Sequence, residues 1–325
     1  MIKNILIIGS GELGSRHLQA ISKANIKINI EVVDPSNESI EIASKRFEEI
    51  PKNININSIK FYNKIDDVFD KLDLVIVSTS SNVRSKVIKE LLKKKKVKNI
   101  ILEKVLFQTI EEYHEISELF NSLKIKCWVN HPRRMFPFYE KLRDTLSNSN
   151  EIHMSVQGGN WGLACNGLHY IDIFLFLINS NNISLNSSNL NNQILESKRT
   201  GYIEVTGSII GRSNKNTLSL TSINSYTPSI ITINSEHIYL IINESSGEIS
   251  ISTKNDGWEF KNYSEKIVFY QSELSNVFIE NILMNGKCKL TTYENSILSH
   301  IEFIKSILNQ MNKNSNVQQT VCKIT

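Results

Sequence analysis

The sequence predicts an α/β domain with a parallel sheet, followed by an α+β domain built on a large, mostly antiparallel sheet. Strand-like and helix-like stretches alternate up to about residue 126, which is typical of a parallel sheet with helices on both faces. From about residue 193 to residue 269, strand candidates instead follow one another. With 325 residues and 40% hydrophobic content, the chain can bury two cores. The expected domains are therefore residues 1–126 and 127–325.

The chain opens with a strand pattern that runs into a glycine-rich turn. Branched apolar residues fill positions 5–8, and Gly9, Gly11 and Gly14 follow in the spacing Gly-x-Gly-x-x-Gly. Gly9 allows a tight turn, Gly11 lets the backbone approach a pyrophosphate, and Gly14 lets the next helix pack closely on the strand. The positive end of that helix attracts phosphate. The residues expected to bind a dinucleotide here are Gly9, Ser10, Gly11, Glu12, Leu13 and Gly14.

A second apolar run, residues 28–33, ends in Asp34, where a ribose-binding carboxylate belongs in a Rossmann domain. A carboxylate accepts a hydrogen bond from a free 2′-hydroxyl and repels a 2′-phosphate. No arginine follows Asp34 at once. The sequence therefore favours NAD as cofactor over NADP. The alternative is a strand–helix turn without a ligand and a surface aspartate.

Two further strand ends carry polar residues. A buried-strand pattern over residues 72–79 runs into small hydroxyl residues, and the strand 99–102 ends in Glu103 and Lys104. Because the carboxyl ends of parallel strands border the ligand crevice, these residues are expected at the cofactor. They are Ser78, Thr79, Ser80, Glu103 and Lys104.

The remaining elements follow from apolar periodicity and end signals. Helices are expected at about residues 36–49, 65–69, 83–94, 110–122, 137–147, 164–178, 272–284 and 293–311. Further strands are expected at about residues 59–62, 125–130, 151–157, 202–205, 229–233, 237–242 and 248–252. The Asn/Ser-rich stretch 179–192 is expected to be a disordered surface loop.

Composition narrows the function classes. A net charge of +4 gives no reason to expect nucleic-acid binding, and the basic run 93–96 suits a helix C-terminus. The cysteines Cys127, Cys165, Cys288 and Cys322 lack metal-ligand spacing and suggest thiols in a reducing cytoplasm. No signal peptide or apolar run of membrane-spanning length is visible. A cytoplasmic protein with neither a metal site nor a membrane or nucleic-acid partner is expected.

Three motifs resemble the glucose-fructose oxidoreductase / inositol dehydrogenase / MocA family, shortened to Gfo/Idh/MocA. Residues 9–17, with the pair Arg16-His17, match its opening; Glu103-Lys104 match the start of its Glu-Lys-Pro motif; residues 167–172 match the segment with its active-site histidine. The resemblance covers nearly the whole chain. It implies NAD or NADP as cofactor and a sugar, polyol or nucleotide-linked sugar as substrate. It also implies a homodimer or homotetramer.

Oxidation of a secondary alcohol requires transfer of a hydride from carbon to the nicotinamide and removal of a proton from oxygen. His169 is the expected acid or base because an imidazole titrates near neutral pH. Lys104 is expected to stabilise the developing alkoxide and to relay the proton. Asp172 lies one helical turn after His169 and could orient the imidazole or face water. Alternatively, His169 is a core residue and Lys104 a surface lysine.

The substrate is expected to contact Arg134, Trp161, Cys165, Asn166 and His169. Trp161 could stack on a sugar or base, or belong to the core. The arginines that follow residue 130 could instead hold the domains together. Arg84, where the family often has histidine, could neutralise a phosphate or face solvent.

Two positions depart from the family pattern. Val105 replaces the proline after Glu-Lys, and a cis bond before valine costs several kcal/mol, so Lys104 could be oriented differently. Cys165 stands where many members carry an aspartate, which puts two-residue proton handling in question. The favoured hypothesis is an NAD-dependent oxidoreductase acting on a sugar, with surface-polysaccharide synthesis as one setting. The alternatives are a catalytically impaired NAD-binding regulatory or sensor protein and an imine or biliverdin-type reductase.

Overall fold

The computed structural model describes residues 2–313 and 317–325, and the chain forms two compact units. The first unit contains Met1–Phe107, Glu111–Pro132 and Phe269–Tyr293, and the second contains Gln108–Ile110, Arg133–Val268 and Glu294–Thr325. This division differs from a single boundary at residue 126 because two later segments join the first unit.

The strands and helices are numbered in chain order. The strands are β1 Lys3–Ile8, β2 Ile28–Val33, β3 Ile56–Tyr62, β4 Lys71–Leu72, β5 Leu74–Val77, β6 Lys96–Val97, β7 Asn99–Leu102, β8 Lys126–Val129, β9 His153–Gly159, β10 Ser184–Leu190, β11 Leu195–Glu196, β12 Ile203–Glu204, β13 Gly207–Ser213, β14 Asn216–Ile223, β15 Thr227–Asn234, β16 Ile238–Asn243, β17 Glu248–Thr253, β18 Lys261–Ser264 and β19 Thr291–Thr292. The helices are α1 Glu12–Ile21, α2 Asn37–Glu48, α3 Ser81–Lys94, α4 Ile110–Leu123, α5 Pro137–Leu146, α6 Leu163–Leu177, α7 Gln271–Asn285 and α8 Tyr293–Asn312.

The first unit is built on a seven-stranded sheet in the order β19-β8-β7-β5-β1-β2-β3. Its strands are parallel except β19 at the edge. Ile5, Leu6 and Ile7 are fully buried, as expected for a parallel strand covered on both faces. In the register, Ile8 lies beside both Val33 and Val77. The carboxyl ends of β1, β2 and β5 therefore lie side by side.

Two segments assigned to the second domain by sequence belong to the first unit. Strand β8 pairs with β7 in the parallel sheet, and α7 packs along α1. The strand at residues 125–130 is expected either as the last strand of the first domain or as the bridge to the next, and the structure has it as a strand of the parallel sheet. The contact of α7 with α1 is long-range in sequence, so the local pattern of α7 did not indicate its location.

The second unit is built on an eight-stranded sheet in the order β10-β13-β14-β9-β15-β16-β17-β18. All neighbouring pairs are antiparallel except β9 with β14, which confirms the mostly antiparallel sheet. Helix α6 packs on β14 and is buried along most of its length. A Cβ added at Gly167 would lie 2.8 Å from the Phe303 ring, so α6 and α8 approach closely only because residue 167 is glycine.

The prediction that residues 179–192 form a disordered loop is wrong. Residues Ser184–Leu190 form the edge strand β10, which pairs with β13. An edge strand exposes one row of side chains and one backbone edge to water, so serine and asparagine are tolerated there. Ser187 also donates to the carbonyl of Ser306. Low sequence complexity concealed a pairing that depends on distant residues.

None of the helices formed by the described residues is both long and apolar enough to cross a bilayer.

Candidate functional site

The glycine turn after β1 has the geometry that the motif predicts. Gly9 has φ +91°, and a Cβ there would lie 2.9 Å from the Thr79 nitrogen. A Cβ at Gly14 would lie 1.8 Å from the Gly9 oxygen, so α1 can pack against the turn only with glycine at this position. A Cβ at Gly11 would meet no atom within 4 Å. The backbone at Gly11 therefore borders open space, as close approach of a phosphate requires.

Asp34 is fixed at the end of β2 beside this turn. Its Oδ2 accepts a hydrogen bond from the Ser10 nitrogen at 2.7 Å, and its Oδ1 accepts one from the Ser36 nitrogen at 2.9 Å. The residue is only 8% exposed. The carboxylate is thus preorganised next to the glycine turn, as a ribose-binding group requires.

Two hydroxyls near the turn are buried without a hydrogen-bond partner among the described residues. They are Ser10 Oγ and Thr79 Oγ1. Buried hydroxyls usually have partners, so these two are suited to a bound polar ligand. Ser78 instead donates to the Gly9 oxygen at 2.7 Å and supports the turn itself. Ser80 is the N-cap residue of α3.

Glu103 lies at the centre of a buried polar network at the end of β7. Its Oε1 is 2.8 Å from His17 Nε2 and accepts a hydrogen bond from Asn130 Nδ2 at 2.6 Å. The network continues to α7, because His17 Nδ1 lies 2.8 Å from Ser275 Oγ and Asn130 Nδ2 donates to Gln271 Oε1. Burial acts most strongly and would raise the pKa of Glu103, but the hydrogen bonds to His17 and Asn130 and the charges of His17 and Arg84 together outweigh it, so the pKa is lowered. The network connects residues of α1 and α7 with the residues that directly follow β7 and β8. Glu103, at its centre, directly precedes Lys104 in the sequence.

Lys104 is half-buried at the carboxyl end of β7, and the peptide bond between Lys104 and Val105 is cis. The peptide bond before Val105 is thus cis, although a cis bond before a residue other than proline is disfavoured. Arg84 is 2% exposed and donates to the carbonyls of Thr79, Val105 and Leu106. Of the two alternatives for Arg84, the solvent-facing one is wrong, because its guanidinium is buried and supports the loop that follows Lys104.

In the second unit, α6 presents the predicted substrate residues on one face. Cys165, Asn166 and His169 are half-buried, whereas residues 163, 164, 167, 168 and 170–177 are buried. Cys165 and Asn166 lie four and three residues before His169, and these spacings put each of them on the helix face of His169. Trp161, just before the helix, donates from Nε1 to the Thr221 carbonyl at 2.8 Å, and Asn166 Nδ2 donates to the Trp161 carbonyl at 2.7 Å.

Asp172 and Arg134 form a buried ion pair. Arg134 Nε donates to Asp172 Oδ2 at 2.6 Å, and Asp172 is 3% exposed. Of the two alternatives for Asp172, orientation of the imidazole or exposure to water, the second is therefore wrong. Burial raises the pKa of Asp172, and the charge of Arg134 opposes this only in part. Arg134 thus contacts α6 through Asp172.

A second ion pair, whose Arg133 and Glu244 side chains are 17% and 9% exposed, was not predicted. Arg133 donates from Nε and Nη2 to the two oxygens of Glu244 at 2.9 and 2.7 Å, and the Tyr139 hydroxyl donates to Glu244 at 2.6 Å. The Arg133 guanidinium also lies 4.5 Å from the ring centre of Tyr170. Burial acts to raise the pKa of Glu244, but the charge and hydrogen bonds of Arg133 and the hydrogen bonds of Tyr139 and Tyr170 together outweigh it, so the pKa is lowered. No sequence signal links residues 133 and 244.

Glu204 is a further missed residue. Its carboxylate, on β12, accepts hydrogen bonds from the Ala164 and Cys165 backbone nitrogens at the start of α6. The N-cap residue Gly162 has no side chain to do this. Glu204 therefore caps the helix that carries His169.

The cysteines and the acidic residues do not form a metal centre within the described part of the chain. Burial raises the pKa of the Cys288 and Cys322 thiols to about 12, so both are poor nucleophiles.

Comparison with known proteins supports the family resemblance. Residues 3–131 match the model of the oxidoreductase family with an NAD-binding Rossmann fold, GFO_IDH_MocA. A search of curated proteins gives no match.

Solved structures resemble the whole chain. A Gfo/Idh/MocA family oxidoreductase from Vibrio cholerae is 13% identical, with a TM-score of 0.68 over 96% of this chain and 98% of that one. A UDP-N-acetylglucosamine 3-dehydrogenase from Acidithiobacillus ferrooxidans is 12% identical, with a TM-score of 0.68 over 94% and 96%. The transcriptional regulator Gal80p from Kluyveromyces lactis is 14% identical, with a TM-score of 0.70 over 97% and 93%. At these identities the similarity shows the fold.

The family model and the fold agree with each other, since the matched residues form the glycine turn and the parallel sheet and the remainder has the fold of a Gfo/Idh/MocA structure. Residues 3–131 thus match the NAD-binding Gfo/Idh/MocA oxidoreductase family, and the whole chain shares its two-part fold with a solved structure of that family.

Proposed function

We propose that the protein is an NAD-dependent oxidoreductase that transfers a hydride to or from a secondary alcohol or ketone of a sugar, polyol or nucleotide-activated sugar. The observation that carries this proposal is the fixed Asp34 carboxylate beside a glycine turn with open space at Gly11. Both features lie within the residues matched by the NAD-binding family model.

The proposed cofactor site uses the backbone of residues 9–14 for the diphosphate and Asp34 for the adenosine ribose. The buried hydroxyls of Ser10 and Thr79 fit a polar ligand at the same turn. The rigid carboxylate of Asp34 favours a free 2′-hydroxyl over a 2′-phosphate, so we expect NAD to bind more tightly than NADP.

The bound nicotinamide supplies the hydride acceptor or donor. We propose that Lys104 stabilises the negative charge that develops on the substrate oxygen, and that His169 takes or returns the proton on that oxygen. The Glu103 network would position Lys104, and the Asp172–Arg134 pair would hold the helix that carries His169. The joint action of Lys104 and His169 follows from the family resemblance.

The proposed substrate class is supported by one helix face. Trp161 provides an aromatic surface, Asn166 a polar side chain and His169 an imidazole, a combination suited to a hydroxylated, partly apolar sugar ring. Cys165 lies among them. A UDP-N-acetylglucosamine dehydrogenase shares the fold, which supports nucleotide-activated sugars and surface-polysaccharide synthesis as a setting. We further propose a cytoplasmic homodimer or homotetramer, on the family resemblance alone.

The test measures turnover of a panel of sugars, polyols and sugar nucleotides, with NADH absorbance as the readout. Lys104→Ala should lower kcat by about a hundred- to ten-thousandfold while leaving NAD affinity unchanged, because the lysine acts in the transition state. Lys98→Ala, at a lysine whose side chain is 73% exposed in the same unit, is the matched control and should keep full activity. Equal activity of the Lys104 variant and wild type would remove its proposed role.

A second candidate is a regulatory protein that binds NAD without turnover. It is supported by Cys165, which stands where many family members carry an aspartate, and by the shared fold of the regulator Gal80p. NAD binding together with no hydride transfer to any member of the panel would favour it over the enzyme.

A further inference from the structure

The first turn of α1 carries an acidic side chain where the proposed cofactor needs its diphosphate. Glu12 is the first residue of α1 and directly follows Gly11. A helix N-terminus attracts a carboxylate for the same reason that it attracts a phosphate. An unrestrained Glu12 carboxylate would therefore compete with the diphosphate for the N–H groups of this turn and would repel it.

Arg46 of α2 holds this carboxylate in place. Arg46 Nη2 donates to Glu12 Oε2 at 2.7 Å, and Arg16 Nε adds a longer contact of 3.3 Å to Glu12 Oε1. The Glu12 side chain of α1 is thus bound to a side chain of α2. The hydrogen bond from Arg46 is the main reason why the pKa of Glu12 is lowered, so Glu12 is ionised at neutral pH.

The same arginine also contacts the turn through a buried serine. Arg46 Nη1 donates to Ser15 Oγ at 2.6 Å, and Ser15 Oγ in turn donates to the Gly11 carbonyl at 2.8 Å. Ser15 is fully buried. Gln19 Nε2 donates to the Arg46 carbonyl, which fixes the backbone of α2 at this point. Arg46 is therefore held beside the glycine turn by contacts on both its side chain and its backbone.

We propose that Arg46 is a positioning residue for the cofactor, which sets NAD affinity by keeping the Glu12 carboxylate away from the diphosphate. This inference rests on the proposed function, because it requires a dinucleotide at the glycine turn. It assigns a role in cofactor binding to a residue of α2 outside the Gly-x-Gly-x-x-Gly motif.

The experiment measures the affinities of NAD, ADP-ribose and adenosine for wild type, Arg46→Gln, Glu12→Gln and the double variant. Arg46→Gln should weaken NAD and ADP-ribose by about three- to tenfold, because a partly exposed charge acts over a short distance. Glu12→Gln should bind both at least as tightly as wild type, and the double variant should match Glu12→Gln. Adenosine has no diphosphate, so its affinity should stay constant throughout.

Two controls separate this role from a structural one. Arg16→Gln removes the longer contact to Glu12 and should have a smaller effect than Arg46→Gln. Arg46→Lys keeps the positive charge and should bind NAD more tightly than Arg46→Gln. If Arg46→Gln does not fold, Glu12→Gln alone still decides, because weaker NAD binding by this variant contradicts the proposal.

Other results would overturn the inference. A double variant as weak as Arg46→Gln would mean that Arg46 contacts the ligand or supports the fold directly. Loss of adenosine binding in Arg46→Gln would point to a disturbed ribose site. Unchanged NAD affinity in Arg46→Gln contradicts this inference alone, whereas a wild-type protein that binds neither NAD nor NADP contradicts the proposed function itself.

Discussion

The two units hold their buried carboxylates with different partners. In the first unit, Glu103 contacts an imidazole and an amide, those of His17 and Asn130. In the second, both oxygens of Glu244 accept hydrogen bonds from the Arg133 guanidinium, one from Nε and one from Nη2. The Asn130 amide carries no charge, whereas the Arg133 guanidinium is always charged and needs a counter-charge when it is removed from water. The first unit should therefore tolerate the loss of its buried negative charge better than the second.

The largest expected effect is in the second unit. Glu244→Gln leaves the Arg133 charge buried without a counter-charge, and we expect it to lower the free energy of unfolding by about 3–5 kcal/mol. Tyr139→Phe removes one hydrogen bond to the same carboxylate and is the matched control, with an expected loss of about 0.5–1.5 kcal/mol. Urea unfolding of both variants measures the difference. Equal losses of unfolding free energy in the two variants would show that the charge of Glu244 contributes no more to stability than one hydrogen bond.

The same carboxylate makes stability depend on pH. The folded pKa of Glu244 lies below its ordinary value of 4.5, so its stabilisation is present above that pH and is lost as the pH falls through the lower folded pKa. The gap in unfolding free energy between wild type and Glu244→Gln should thus shrink on acidification below about pH 4.5. A gap that stays constant between neutral and acidic pH would contradict the lowered pKa.

A smaller effect is expected at the corresponding position of the first unit. In Glu103→Gln the amide oxygen can still accept the hydrogen bond from Asn130, so we expect a loss of unfolding free energy of about 1–3 kcal/mol at neutral pH. The same urea experiment applies. A loss larger than that of Glu244→Gln would reverse the proposed contrast between the two units.

Loss of the α6 cap should lower the free energy of unfolding by less than Glu244→Gln or Glu103→Gln does. Glu204→Ala removes the acceptor for the Ala164 and Cys165 nitrogens and should cost about 1–2 kcal/mol, whereas Glu204→Gln keeps an acceptor and should cost less. Hydrogen exchange at these two amides reports the change directly. Unaltered exchange in the alanine variant would show that Glu204 does not cap the helix.

The smallest effect concerns cofactor choice. Asp34→Ala should shift the ratio of NAD to NADP affinities by about tenfold toward NADP, or about 1.4 kcal/mol, because the repulsion of a 2′-phosphate is lost. Asp70→Ala, at an exposed aspartate of the same unit, should leave the ratio unchanged. An unaltered ratio in Asp34→Ala would mean that this carboxylate does not lie at the ribose.

How much of each unit can be predicted from the sequence depends on how far apart its contacting residues lie along the chain. The glycine turn, Asp34 and Glu103 were located correctly relative to the sheet, since each directly follows a strand whose apolar pattern is local. The helix face with Cys165, Asn166 and His169 was likewise predictable from helical spacing.

Contacts between distant segments could not be predicted. Glu244 lies 111 residues after Arg133, and Glu204 lies 40 residues after Ala164, with no local pattern to join them. Arg84 looked like a surface or phosphate-binding residue because burial of a guanidinium against backbone carbonyls leaves no trace in sequence. The edge strand β10 was hidden for the same reason, since its pairing with β13 compensates for its polar composition.

The central claim is that the glycine turn and Asp34 bind a nicotinamide dinucleotide, and calorimetric titration of the wild-type protein with NAD and NADP tests it most directly. We predict saturable binding of both at a single site, with NAD the tighter ligand. Absence of heat and of competition with either dinucleotide would contradict the account, and tighter binding of NADP would contradict the role of Asp34.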